Sequence, residues 1–197
     1  MYAPSVYNAR YFCSRIGRKP RHIIPALVQS LVAELGPFTS SLDLGAGAGF
    51  YSMALSGLGV EAWAVELAEE APVFSLDYVC VLCHDLRLPL DLGGRTFDLV
   101  LCIEVAEHLP ESAADTLCDT IALHANHLVV FTAAPPGQGG TGHINCQPPC
   151  YWRDKLEARG LFHLPEHTER MKLGWARVCG KRFTYLVRNV VVYGGGN

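Results

Sequence analysis

The run Ser41-Leu42-Asp43-Leu44, followed at once by Gly45-Ala46-Gly47-Ala48-Gly49, limits the possible folds more than any other feature of this chain. Four residues alternating between polar and apolar suit a short strand. The glycines supply a turn free of side chains, and Phe50 to Leu58 then reads as a helix. A strand, turn and helix in this order is the opening unit of a parallel sheet, because parallel strands need a long crossover between them.

The unit recurs along the chain. Val60 to Glu66 reads as a strand, Ala68 to Phe74 as a short helix, Tyr78 to Cys83 as a β-rich run and Phe97 to Ile103 as another strand. Glu111 to Ala125 follows as a helix with Leu117, Cys118 and Ile121 inward, and His127 to Ala133 as a further strand. Upstream, Ile24, Leu27, Val28, Leu31, Val32 and Leu35 form one stripe on a helix over His22 to Leu35, with Pro25 in its first turn and Gly36-Pro37 as its stop. Beyond a turn-rich stretch from Pro135 to Pro149, Tyr151 to Arg159 reads as helix and Phe183 to Tyr193 as a last β-rich run, while Glu166 to Arg182 shows no clear period. Such alternation predicts an α/β chain whose mostly parallel sheet is covered by helices on both faces. With no repeat and no long linker, a single domain over residues 1–197 is expected, residues 1–40 forming an N-terminal helical cap.

Composition narrows the function classes. No apolar run approaches the roughly 20 residues that a membrane-spanning helix needs, so a soluble, cytoplasmic chain with no membrane partner is expected. The formal charge of −3 gives no general attraction to a phosphate backbone, although Arg15, Arg18, Lys19 and Arg21 could form a local basic patch. Nucleic acid is thus the less expected partner. Eight cysteines in such a chain read as reduced thiols, several of them in apolar strand-like runs.

In a parallel sheet, ligands settle beyond the carboxyl ends of the strands, where the first glycine turn lets backbone approach a nucleotide. Glu66 ends the second strand about 20 residues past that turn, a position from which a carboxylate can accept both hydroxyls of a ribose. Asp85 ends the third and could receive an adenine amino group. Dinucleotide binding is the rival, but its G-x-G-x-x-G pattern would need glycine where Phe50 stands.

These residues, together with Phe97-Asp98-Leu99-Val100, resemble the class I S-adenosylmethionine-dependent methyltransferases across roughly residues 22 to 133. The resemblance implies a Rossmann-like fold with a seven-stranded sheet, its last strand antiparallel at about Val190 to Tyr193. By the same likeness, Asp43 with Gly45, Ala46, Gly47 and Gly49 would hold the methionine end of S-adenosylmethionine. Glu66, beside Leu67, would hold the ribose, Asp85 the adenine, and Leu86 would flank its ring.

After the fourth strand, Glu104, Glu107 and His108 stand at i, i+3 and i+4, which on a helical turn share one face. Two carboxylates and an imidazole suit a divalent metal such as Mg²⁺ or Mn²⁺. The run resembles the E-x-x-E-H motif of metal-dependent O-methyltransferases acting on ubiquinone precursors and on the terminal ribose of small RNAs; the latter implies His143 as a fourth ligand. Without a metal, His108 or His143 could serve as general base, with Glu104 lining the site for donor and acceptor. The loop over residues 135–149, carrying Gln138, His143 and Asn145 among its glycines, suits acceptor binding. The expected function is O-methylation of a hydroxyl on a small molecule or sugar. Methylation of an RNA ribose 2′-hydroxyl, a non-catalytic S-adenosylmethionine-binding module and a nicotinamide-dependent oxidoreductase remain as alternatives.

Overall fold

The computed structural model describes residues 20–67, 79–181 and 183–195. Along the chain come α1 (Pro20–Leu35), β1 (Ser40–Leu44), α2 (Phe50–Ser56), β2 (Glu61–Glu66), β3 (Val79–Cys83) and β4 (Phe97–Ile103). Single 3₁₀ turns at Ala106–His108 and Glu111–Ala113 lead into α3 (Ala114–His124) and β5 (Ala125–Thr132). Then follow α4 (Pro149–Glu157), β6 (Leu161–His163), α5 (Pro165–Cys179), α6 (Thr184–Asn189) and β7 (Val191–Gly195). The short helix expected at Ala68 to Phe74 and the basic residues Arg15, Arg18 and Lys19 lie outside the described residues.

Seven strands form one sheet in the order β3-β2-β1-β4-β5-β7-β6. β1 pairs in parallel with β2 and β4, as do β2 with β3 and β4 with β5, whereas β7 runs antiparallel to both β5 and β6. The sheet grows one way from β1 through β3 and the other way from β4, so the order reverses between β1 and β4. A crevice at the carboxyl ends of those two strands is the geometric result.

Strand periodicity divides the core into two layers. On β4, Val100 and Cys102 pack with Leu117, Cys118 and Ile121 of α3 and Trp152 and Leu156 of α4 on one face. Leu99 and Leu101 pack with Leu27, Val28 and Leu31 of α1 and Met171 and Trp175 of α5 on the other. Both faces being covered explains why Phe97 to Ile103 is apolar almost throughout, and each fully buried Leu there contributes about 1.5–3 kcal/mol. α1 and α5 approach closely: a Cβ at Gly174 would lie 2.5 Å from Ser30 Oγ, and Trp175 Nε1 donates to the Leu27 carbonyl at 3.2 Å. Among the described residues no helix is long and apolar enough to cross a membrane.

Local pattern and structure part company in several places. Residues 166–182, without a clear period, are mostly α5; Thr168, Met171, Trp175 and Cys179 do make an inward stripe, but Glu166, Glu169, Arg170, Lys172 and Arg177 surround it and Gly174 interrupts it. The β-rich run Phe183 to Tyr193 is two elements, α6 and then β7, because burial of Leu186 beside Cys179 and Val190 outweighs the weak strand preference of its β-branched residues. α1 begins at Pro20, which puts Pro25 in its second turn. Cys80 and Cys83 are exposed, since β3 is an edge strand.

Candidate active site

Gly45, Gly47 and Gly49 all adopt positive φ, at 72°, 58° and 70°. The turn is tied to β2 by the amides of Gly45 and Ala46, which both donate to the Val65 carbonyl at 2.8 and 3.0 Å. A Cβ at Gly45 would lie 2.6 Å from Val105 Cγ2, so this glycine permits the turn to press against the segment after β4. At Gly47 a Cβ would meet nothing within 4 Å. The space beside it is open to a ligand.

Glu66 reaches back over this turn, its Oε2 accepting from Gly47 N at 2.8 Å and its Oε1 from Leu67 N at 2.9 Å. Asp43 is only 3% exposed and accepts from Ser52 Oγ at 2.9 Å. Burial, reinforced by the charge of Glu66 and opposed by the Ser52 hydrogen bond, pushes its carboxyl from 3.8 up to about 7. Between those values the folded chain keeps a proton that the unfolded chain has lost, so this residue makes stability fall as pH rises from about 4 to 7, by up to about 4 kcal/mol. Asp43→Asn should remove that slope: denaturant titrations near pH 5 and near pH 8 should show the wild type losing more stability than the variant. Parallel losses would mean that Asp43 is ionised throughout.

Asp85 has a different partner. Its carboxylate is gripped by Arg87, whose Nε lies 2.9 Å from both oxygens and whose backbone N donates to Oδ1 at 2.9 Å. The Arg87 hydrogen bonds hold its pKa below the usual carboxylate range. Leu86 is 6% exposed and belongs to the core beside α3.

A cavity of about 510 Å³ opens at the crevice, lined by Asp43, the turn residues Gly45 to Ala48, Phe50, Tyr51, Ile103, Glu104 and His108. Gln138 to Thr141, His143, Tyr185 and Arg188 close its other side. The glycine turn and three of the four candidates on the acceptor side thus share one space, while Glu66, Asp85 and Leu86 are not in its wall. Glu107 lies behind it, fully buried.

The Glu104-to-His108 run does not form a single helical face. Glu104 sits at φ 54°, a left-handed conformation that an L-residue adopts only when its surroundings demand it, ahead of the 3₁₀ turn that carries Glu107 and His108. Its amide is held by Thr132 Oγ1 at 2.8 Å, and its carboxylate accepts from Gln138 Nε2 at 3.0 Å and Asn189 Nδ2 at 3.1 Å. Asn189 Nδ2 also donates to Gln138 Oε1 at 3.0 Å, which closes a three-residue triangle.

The remaining three candidates converge separately. Glu107, His108 and His143 offer ligand atoms that all lie within 4.8 Å of one another, and Glu104 is not in that set. Neither carboxylate oxygen of Glu107 has a side-chain or backbone donor at good hydrogen-bond geometry among the described residues; His143 Nε2 stands 3.9 Å from Oε1. Burial first, and then the charge of Glu104, drives the Glu107 pKa upward. The Nδ1 atoms of His108 and His143 lie 3.1 Å from the carbonyls of Gly142 and Gln138. A carbonyl only accepts, so each Nδ1 carries the hydrogen and each neutral ring keeps its lone pair on Nε2.

The glycine-rich loop positions this group. Ile144 N and Asn145 N both donate to the Glu107 carbonyl, at 2.9 and 3.1 Å, which docks the loop on the 3₁₀ turn. A Cβ at Gly140 would land on the imidazole of His143. Asn145 is buried and accepts from Gln147, holding the loop's own shape. Asn189, Tyr185 and Arg188 were not legible as site residues, because they lie in a run whose local pattern reads as strand.

Residues 42–120 match the family model described as a methyltransferase domain. The chain is 31% identical over 106 residues to a ubiquinone biosynthesis O-methyltransferase of Xanthomonas campestris pv. campestris, covering 49% of this chain and 44% of that protein. It therefore spans less than half the length of that relative. In three dimensions it superposes on magnesium protoporphyrin IX methyltransferase from Synechocystis PCC 6803, solved with bound S-adenosylhomocysteine, with a TM-score of 0.61 at 21% identity over 73% of this chain and 74% of the other. The CcbJ methyltransferase from Streptomyces caelestis gives a TM-score of 0.63 at 17% identity over 92% of each. At these identities the likeness to the solved structures is one of fold.

Proposed function

We propose that this chain, which belongs to the class I S-adenosylmethionine-dependent methyltransferases, transfers a methyl group to a hydroxyl of a small-molecule acceptor. One observation carries the reading: the glycine turn, Glu104, His108 and His143 line the same cavity. Bound S-adenosylmethionine would supply a methyl group already activated on a sulfonium sulfur. Asp43, the turn from Gly45 to Gly49 and Glu66 are the residues proposed to hold it. They suit it in two respects, the open space at Gly47 and an acidic side chain in the cavity wall facing a cationic ligand. Asp85 could serve the adenine amino group only by sharing its carboxylate with Arg87.

The protein's own task is then alignment and proton removal. Holding acceptor and donor in line can supply roughly 7–11 kcal/mol of the barrier. As the acceptor oxygen bonds the methyl carbon and displaces the neutral thioether, its proton passes to Nε2 of His143 or His108. Glu107, beside His143, stabilises the resulting imidazolium. Glu104, immobilised by Gln138 and Asn189, fixes the floor on which the acceptor sits.

The same triad fits a divalent cation such as Mg²⁺ or Mn²⁺. Glu107 offers two buried oxygens that lack good donors, and backbone carbonyls present the lone pairs of both imidazoles. Glu107, His108 and His143 would hold it, with Glu104 outside the set, and it would lower the pKa of a hydroxyl bound to it. Titration calorimetry should detect S-adenosylhomocysteine binding, and no heat at all would defeat the whole reading. Methyl transfer from labelled donor should require Mg²⁺ or Mn²⁺ and stop in chelator; full activity in chelator would leave the histidines as bases and remove the metal.

A further inference from the structure

A second cavity of about 390 Å³ lies between β5, α4 and β7, on the far side of the Gln138–Asn189 pair from the glycine turn. A space of this size holds a small molecule. The partition is closed by its own hydrogen bonds: Gln138 Nε2 and Asn189 Nδ2 donate to Glu104 at 3.0 and 3.1 Å, and Asn189 Nδ2 also donates to Gln138 Oε1 at 3.0 Å. Neither the glycine turn nor His108 nor His143 lines this space. A molecule held in it therefore stays apart from the methyl donor and from both candidate bases.

The base of the cavity is apolar and aromatic. Phe131 packs 5.7 Å from Trp152 and edge-on at 6.4 Å from Tyr193, and Pro135 and Pro136 stiffen the rim. Its unused polar groups are of one kind. Among the described residues no Asp or Glu lines it, and Arg188 is its one cationic side chain. Arg87, Arg95, Arg153, Arg159, Arg170 and Arg177 each pair with a carboxylate, whereas Arg188 makes no ion pair among the described residues. Trp152 Nε1 is buried in the base with no acceptor among those residues, while Gln147 already donates to Asn145 at 2.9 Å. What the wall lacks is an acceptor. A carboxylate supplies one, meeting a guanidinium with two parallel hydrogen bonds, while an apolar tail fills the remaining space.

We propose that this cavity is a second ligand site, for an apolar monocarboxylate that the protein holds without methylating it. The carboxylate sits on Arg188 and the tail lies over Phe131 between the two prolines and Tyr193. The site stands or falls with Arg188 and the space beside Ala133, whatever the first cavity binds.

The test is calorimetry with cyclohexanecarboxylate and cyclohexanecarboxamide, which share a ring with no hydroxyl and differ in charge, each titrated with and without saturating S-adenosylhomocysteine. The acid should bind roughly 10-fold tighter or more than the amide, with and without S-adenosylhomocysteine alike. Arg188→Gln should bring the two to near parity. Ala133→Leu, which adds bulk to the second cavity alone, should abolish binding of the acid and leave that of S-adenosylhomocysteine. No binding of the acid to the wild type, equal affinities for acid and amide, displacement of the acid by S-adenosylhomocysteine, or a labelled methyl ester formed from the acid and labelled donor would each overturn the proposal. These wild-type measurements stand even if a variant fails to fold. Absence of S-adenosylhomocysteine binding with the acid preference intact would defeat the methyl-transfer reading alone and leave this site standing.

Discussion

Gly45→Ala should destabilise the chain by about 2–5 kcal/mol and abolish S-adenosylhomocysteine binding. Two penalties combine. An L-residue at φ 72° pays roughly 1–2 kcal/mol in left-handed strain, and a Cβ only 2.6 Å from Val105 Cγ2 overpacks a closed contact for roughly 1–3 kcal/mol more. The substituted turn can relax only by moving away from Val105 and into the cavity. Gly47→Ala isolates the first effect, because nothing lies within 4 Å of its new methyl, and should lose only about 1–2 kcal/mol. Urea midpoints for the two variants, and for Gly45→Ala combined with Val105→Ala, provide the measurement. Equal losses at Gly45 and Gly47, or no recovery in the double variant, would show that the turn does not bear on the segment after β4.

His143→Ala should lower the methyl-transfer rate by roughly 10²- to 10⁴-fold while S-adenosylhomocysteine affinity changes little. The imidazole is fixed on one side by the Gln138 carbonyl and faces Glu107 on the other, so its loss removes an acceptor for the hydroxyl proton, or a cation ligand, without altering the glycine turn. Gly140→Ala should reproduce much of the defect with the histidine still present, since the new methyl would occupy the space of its ring. A His143→Ala protein that kept more than roughly a tenth of the wild-type rate would lie outside the range of a general base or metal ligand and would move the role to His108.

The parts of the site that local pattern revealed are those whose chemistry is local. A turn with glycine at every second position needs only its own backbone freedom, and β1 with its strand ladder needs only alternating and continuous apolar runs. Glu107 and His108 were visible as part of the E-x-x-E-H run, and His143 through the resemblance to the enzymes that methylate the terminal ribose of small RNAs and through its place in a loop of glycines. The expectation failed where the backbone departed from regular geometry. Glu104 was placed on one helical face with Glu107 and His108, yet its positive φ sends its carboxylate to Gln138 and Asn189. Likewise Asp85 stands at a strand end as anticipated, but Arg87 two residues on occupies its carboxylate, a competition that spacing alone does not rank.

By itself the amino-acid order determined the α/β class, the parallel ladder and the position of the glycine turn, because each follows from interactions within a few residues or from which side chains must leave water. Only the tertiary structure decided that residues 184–189 form a helix before β7, that Asn189 and Arg188 join the crevice, and that Glu107 is buried among histidines from two segments. Those outcomes depend on contacts between residues 34 to 85 positions apart, such as Gln138 and Asn189 on Glu104. Burial against a distant partner there exceeds the few tenths of a kcal/mol by which local propensity favours one backbone state over another.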